Sequence, residues 1–192
     1  MIIRKATSID APDIAECLLL AMESIVYTFI GKNDSDVAYE FLLHFVTQED
    51  NQYSYQNCWV VCNNNQITGA INIYNGANLH ALRMPIINYL KTNFNREIII
   101  DDETQAGEYY IDTFGIKTNQ QGKGIGFMLL QFIIDVFVHQ QNRTLGLLVE
   151  KENRAAQRLY KKLGFIYQSD KNLVGKQLEH MQIKRQKNIT NN

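Results

Sequence analysis

Between residues 121 and 126 the chain reads Gln-Gly-Lys-Gly-Ile-Gly, three glycines spaced two apart around a lysine and an isoleucine. Glycines at this density let a backbone turn tightly and approach a ligand without Cβ interference. The strand-like Tyr109–Ile116 precedes them, and the apolar run from Phe127 to Val138 follows, so they sit where a strand hands over to a helix. The first N–H groups of such a helix have no partner within it and point outward with the positive end of its dipole. The chemistry on offer is the holding of a phosphate or diphosphate. A P-loop needs G-x-x-x-x-G-K-[ST], and Gly124 after Lys123 removes the hydroxyl that would hold magnesium. A Rossmann turn needs G-x-G-x-x-G with an acidic residue about 20 positions on, and Asp135 comes too soon. What remains is Q-x-x-G-x-G.

A second run lies downstream, Asn153-Arg154-Ala155-Ala156-Gln157-Arg158-Leu159-Tyr160-Lys161-Lys162-Leu163-Gly164-Phe165. Taken with the loop, in order and register, it resembles GNAT-family N-acetyltransferases, whose N-x-x-A-x-x-L-Y-x-K-x-G-F run it matches throughout. The resemblance covers about the last half of the chain, roughly residues 108–183. It implies that backbone N–H groups of Gln121, Gly122, Lys123, Gly124, Ile125 and Gly126 hold the diphosphate of acetyl-CoA, the co-substrate, with the Lys123 charge on the solvent side or simply solvated. It also implies Tyr160 as general acid to the departing thiolate, with Asn153 two turns back on the same side of one helix as a partner of the pantetheine arm or of an ordered water. Phe114, Gly115 and Ile116 are implied to present unpaired backbone groups to pantetheine and to the thioester oxygen, with a bulge expected at Gly115.

Acetyl transfer to an amine makes demands of its own. An alkylammonium of pKa about 10.4 is neutral in only about one part in 10³ at pH 7, so something must take its proton. Glu108, at the start of the expected fourth strand, is the leading candidate base, because some family members carry a glutamate there. Asp112 competes, since residues four apart on a strand share a face and both could border the cleft. Either carboxyl would need burial or a nearby negative charge to raise its pKa. Asp101, Asp102, Glu103, Glu108 and Asp112 concentrate acid just before the fourth strand, which favours a cationic acceptor: a polyamine, an aminoglycoside, a lysine or a peptide N-terminus. Solvated loop charges account for the same residues.

The elements that must position these groups follow from periodicity. Residues 2–7 read as a first strand. Asp10 is the expected cap of a helix with Pro12 in its first turn, running to a break at Gly31, and a second helix is expected over 35–47. Residues 59–62 and 67–74 form a hairpin through an Asn-rich turn. Residues 75–107 then read as an insertion, with a helical pattern from Pro85 to Phe94, either a lid beside the site or an ornament. Residues 144–149 are a buried strand, and 165–169 and 176–184 the last antiparallel pair. The fold class expected is α/β (α+β): one GNAT domain over residues 1–184, a mixed, mostly antiparallel sheet of six to seven strands with helices on both faces, and a polar tail at 185–192.

Composition narrows the partners. At 192 residues and net charge −1 the chain suits one domain and offers no broad basic field for nucleic acid. No run approaches the roughly 20 apolar residues of a membrane span, and the N-terminus lacks the apolar core of a signal peptide, so the expected location is the cytoplasm. Cys17, Cys58 and Cys62 read as small buried hydrophobes, and neither they nor the four histidines have metal-ligand spacing. The expected function is N-acetyl transfer from acetyl-CoA to a primary amine, on a small molecule or a peptide, within a ternary complex. The alternative is a non-catalytic acyl-CoA sensor. The residues carry no argument on oligomeric state, and a homodimer stays open.

Overall fold

The structure is a computed structural model that describes residues 1–64 and 66–186. Position 65 of the expected Asn-rich turn and most of the expected polar tail lie outside the described residues. The strands are β1 (Ile2–Lys5), β2 (Cys58–Asn63), β3 (Gln66–Asn75), β4 (Tyr109–Ile116), β5 (Leu145–Glu150), β6 (Ile166–Leu173) and β7 (Lys176–Ile183). The helices are α1 (Ala11–Ile30), α2 (Ser35–Val46), α3 (Leu79–Phe94), α4 (Ile125–Ile134) and α5 (Arg154–Lys162). Among the described residues the strands form one sheet in the order β1-β2-β3-β4-β5-β7-β6, antiparallel throughout except for the parallel β4–β5 pair.

Each sheet face carries its own apolar layer. On one face α1, α2 and α3 bury Ile14, Leu18, Phe41, Leu42, Ile86 and Leu90 against Val60 and Ala70. On the other, α4 buries Leu129, Leu130 and Ile133 against Ile71, Leu147 and Met181. Fully burying a side chain of this size contributes about 1.5–3 kcal/mol, so these layers set the strand order.

Local chemistry fixes the ends of the helices. Gly31 closes α1 with φ +71°, and the Asp34 carboxylate caps α2 by accepting from the Val37 N–H at 3.1 Å. Asp10 stands at the N-cap of α1 as expected, but its side chain makes no cap bond. Its carboxylate accepts from Thr7 N–H at 2.8 Å and pairs with Arg4 at 2.7 Å, fastening β1 to the start of α1 instead of capping the helix. The residue breaking α1 is Met22, with φ −130° and ψ 20°, and it stands at the functional cleft.

The insertion is part of the core. Its helix starts at Leu79, six residues before the expected Pro85, and Leu79, Arg83, Ile86 and Leu90 recur at helical spacing on the buried face.

Candidate active site

β4 and β5 pair in parallel only from Tyr109↔Leu145 to Ile111↔Leu147. Beyond Ile111, β4 stays on β3 while β5 stays on β7, and the two strands part. A bulge accompanies the parting: Ile73 faces Ile111 and Asn72 faces Thr113, so Asp112 is the extra residue. Tyr109 and Ile111 before it, and Phe114 and Ile116 after it, all pack in the same apolar layer, which an unbroken two-residue alternation would not allow.

The expected bulge at Gly115 is therefore corrected to Asp112. Gly115 is glycine for a different reason: a Cβ there would lie 1.9 Å from the Cys17 carbonyl oxygen, so α1 backbone rests directly on β4.

Two cavities meet at the parting strands. One, of about 480 Å³, is lined by Met22, Asp112, Leu148, Asn153 and Tyr160 among others. The second, of about 440 Å³, lies over Gly115, Ile116 and the Gln121–Gly126 loop. Leu20, Ala21, Phe114 and Leu159 belong to both.

The loop is built as an anion cradle. Gly122 and Gly124 adopt φ +75° and +78°, where any other residue is strained, and a Cβ on either would meet no atom within 4 Å. Gly124 caps α4 without a side chain, so no side-chain acceptor covers the first-turn N–H groups. Gly126 lets the helix approach β4, since a Cβ there would stand 2.9 Å from Phe114 Cζ. Gln121 Nε2 donates to Ile116 O at 3.0 Å and ties the loop to the end of β4. These features fit the diphosphate of an acyl-CoA. Lys123 does not line the cavity: its Nζ donates to Asn119 O at 3.0 Å and to Gln120 Oε1 at 3.2 Å, which turns the expected charge back onto the loop.

Asn153 and Tyr160 both line the larger cavity, though not as two groups on one helical face. Asn153 stands outside α5 as its cap, with Oδ1 accepting from Ala156 N–H at 3.0 Å, so that oxygen is already engaged. Burial pushes the Tyr160 hydroxyl up to about 12, and its ring packs edge-on to Phe165 at 5.8 Å.

The two candidate carboxylates have different surroundings. Glu108 does not line either cavity. It is buried over Gly146 of β5, with Thr104 Oγ1 at 2.7 Å, His180 Nε2 at 2.9 Å and Gln182 Nε2 at 2.7 Å. Burial pushes its carboxyl up, but the hydrogen bonds from His180, Thr104 and Gln182 outweigh this and hold it below the usual glutamate value. Glu108 does not border the cleft as expected; it bonds the start of β4 to β7.

Asp112 faces the cavity, where burial pushes its carboxyl above the usual value. Gln52 Nε2 (3.0 Å), Tyr74 OH (3.3 Å) and Thr113 Oγ1 (2.9 Å) donate to it and return part of that shift.

Around Asp112 lies a polar floor. Glu103 Oε1 accepts from the same Gln52 Nε2 at 2.9 Å and shares the single Tyr74 hydroxyl hydrogen with Asp112, with the shorter contact at 2.9 Å, and its other oxygen pairs with the buried Arg83 guanidinium. Arg83 also donates to Ile100 O at 2.9 Å, so the insertion supplies part of the site. Burial pushes the hydroxyls of Tyr53, Tyr74 and Tyr110 well above the usual phenol range. Sequence reasoning included Glu103 only as one of several loop charges and missed Gln52 and Arg83. Arg83 had left a signal, an arginine on the helical face that Leu79, Ile86 and Leu90 bury. Gln52, in an irregular segment, left none.

Comparison with known proteins bears on the family and the fold. The model of the acetyltransferase (GNAT) family matches residues 30–165. An N-acetyltransferase from Staphylococcus aureus Mu50 has a similar structure, with a TM-score of 0.77 and 21% identity over 95% of this chain and 100% of that one. A second solved acetyltransferase gives 0.78 at 24% identity, over 96% and 99% of the two chains. A Bacillus subtilis acetyltransferase in complex with CoA gives 0.53 at 14% identity, over 91% and 92%. At these identities the structural likeness speaks for the fold alone. No curated protein matches the sequence.

Proposed function

Because this chain belongs to the acetyltransferase (GNAT) family, an acyl-CoA-using family of acyltransferases, we propose that it moves an acetyl group from acetyl-CoA to a primary amine by direct transfer in a ternary complex. The observation that carries this reading is the meeting of two cavities at the parting of β4 and β5, one over the glycine loop and one over Asp112. A donor held on the loop and an acceptor at Asp112 would reach each other through the shared walls at Phe114 and Leu159, with no need for a covalent enzyme intermediate.

Bound acetyl-CoA would supply the activated carbonyl and a sulfur leaving group. The chain's residues would do the rest. First-turn N–H groups behind Gly124 would hold the diphosphate, and the β5-facing edge of residues 112–116, without a strand partner among the described residues, would orient the pantetheine arm and the thioester oxygen. Asp112 would take the ammonium proton. Its raised pKa makes it a better base than an ordinary aspartate, so it replaces Glu108 in that role. Tyr160, with its hydroxyl near 12, would stay protonated throughout the neutral range and present a hydrogen to the departing sulfur.

The test joins binding to kinetics. A CoA ligand at 100 times its Kd adds about 2.7 kcal/mol, which for this size raises the melting midpoint by about 5–10 °C. Acetyl-CoA and CoA are expected to give that shift, ATP and NAD none. Initial rates against both substrates are expected to give intersecting double-reciprocal lines, and parallel lines would overturn direct transfer. Tyr160→Phe is expected to slow turnover at unchanged CoA affinity. Binding without thiol release for any amine would favour the acyl-CoA sensor.

A further inference from the structure

The larger cavity says more about the acceptor than that it is an amine. Its floor holds two carboxylates of unequal standing. Glu103 is matched by Arg83, and both side chains are buried. Among the described residues Asp112 receives hydrogen bonds from neutral donors only, Gln52, Tyr74 and Thr113, while the nearby Arg83 is paired with Glu103, so Asp112 is the floor's carboxylate without an ion pair of its own. A single ammonium would complete it.

Above the floor one wall is apolar, with Ile25 and Phe29 from α1, Ile86 and Ile100 from the insertion, and Leu173 and Val174 from the end of β6 and the turn after it, while Tyr53, Glu150 and Asn153 add polar groups to the rest of the lining. At the rim Glu150 is already paired with Lys176 at 2.6 Å. A second ammonium or a row of hydroxyls on the part of the acceptor that lies along this apolar wall would be buried there without partners.

The mouth is also restricted. Lys176 Nζ reaches Ser24 Oγ of α1 at 3.3 Å, and Lys171 Nζ reaches Asp102 O of the insertion at 3.2 Å. The β6–β7 hairpin thus bridges the cleft to α1 and to the insertion, and Val174 at its turn packs into the α1–α3 layer. The cavity beneath, about 480 Å³ and shared with the donor's end at Tyr160, suits a small molecule better than a polypeptide.

Resting on the acyl-transfer reading above, we propose that the acceptor is a small primary amine on an apolar body without a second charge, its ammonium on Asp112 and its body between Ile25, Phe29, Ile100 and Val174. The step balances without an oxidant or reductant. The C–N bond forms as the C–S bond breaks, one ammonium proton leaves through the Asp112 carboxylate to water, Tyr160 gives its hydrogen to the departing sulfur, and the second ammonium proton restores the Tyr160 hydroxyl.

The test measures thiol release with acetyl-CoA and four acceptors: 2-phenylethylamine, ethylamine, spermidine and a short peptide with a free N-terminal alanine. In parallel, calorimetry measures CoA binding. The expected result is a kcat/KM for 2-phenylethylamine at least ten-fold above each of the others. Spermidine or the peptide equalling it, or turnover of none, with CoA still bound, would overturn the inference and leave the donor half of the reading standing; absence of CoA binding would overturn both. Ile25→Glu supplies an independent check by placing a second carboxylate in the wall. It is expected to raise the spermidine to 2-phenylethylamine ratio at least ten-fold at unchanged CoA affinity, and an unchanged ratio would count against the apolar-wall assignment.

Discussion

Glu108 and Asp112 stand four residues apart at the two ends of one short stretch of chain, and the parting of β4 from β5 falls between them. Glu108 lies where β5 is still paired, so Gly146 lies against it, and Thr104, His180 and Gln182 donate to its oxygens. Asp112 lies just past the last paired residue, on a bulge, with a cavity in front of it. The same functional group becomes a structural fastener in one place and a candidate base in the other. What differs is whether a neighbouring strand covers it. At Glu108 three donors at 2.7–2.9 Å outweigh burial and lower the pKa, which removes it from chemistry, while at Asp112 burial outweighs its donors, raises the pKa and readies it for proton transfer.

The largest expected effect tests the catalytic end of the contrast. Asp112→Asn is expected to lower kcat/KM for the amine by about 10²–10⁴-fold, the range of a general base, with CoA affinity changing less than about three-fold. Thiol-release rates and calorimetry on the same preparation check it. An active Asp112→Asn enzyme beside an inactive, folded Glu108→Gln enzyme would reverse the contrast.

The structural end predicts loss of stability in place of activity. Glu108→Ala leaves His180, Gln182 and Thr104 short of an acceptor, a cost of about 2–4 kcal/mol, or about 4–16 °C of midpoint for a domain of this size. The folded enzyme is expected to keep its kcat/KM within about three-fold. Gly146→Ala sharpens the point, because its Cβ would stand 1.9 Å from Glu108 Oε2. It is expected to cost about 1–3 kcal/mol in the wild type and much less in the Glu108→Ala background, a coupling that thermal melts of the four proteins would read.

The same division separates what was legible in the sequence from what was not. The donor half could be read because its requirements fall on single backbone positions. Gly122, Gly124 and Gly164 occupy positive φ, and Gly126 admits Phe114, so residue type alone marks them. The seven-stranded, mostly antiparallel sheet and its helices on both faces followed from periodicity and from the family's order of elements. The acceptor half depends on register and coverage. Residues four apart on a strand do share a face, but nothing in their types says that β5 covers one and leaves the other open. Nor does any residue type announce a one-residue bulge at Asp112. Gln52, Arg83 and Glu103 converge on it from an irregular segment, a helix and a loop far apart in the chain, through contacts that only the folded core creates.

The smallest expected effect concerns pH, and the two carboxylates should give it opposite signs. The Glu108 carboxyl is held below its usual value, so it adds stability above its unfolded pKa of about 4.3 and loses it as pH falls through the lower folded value. The Asp112 carboxyl is held above its usual value. Its contribution is full only below its unfolded pKa of about 3.9 and is lost as pH rises through the folded value. Urea unfolding at pH 7 and at steps down to about pH 3 can separate them. Glu108→Gln should be less stable than the wild type by about 1 kcal/mol at pH 7, with the gap closing in acid. Asp112→Asn should equal or exceed the wild type at pH 7 by up to about 1 kcal/mol, an advantage that vanishes towards pH 4. Two gaps of the same sign would mean that coverage by β5 does not divide the roles of these carboxylates.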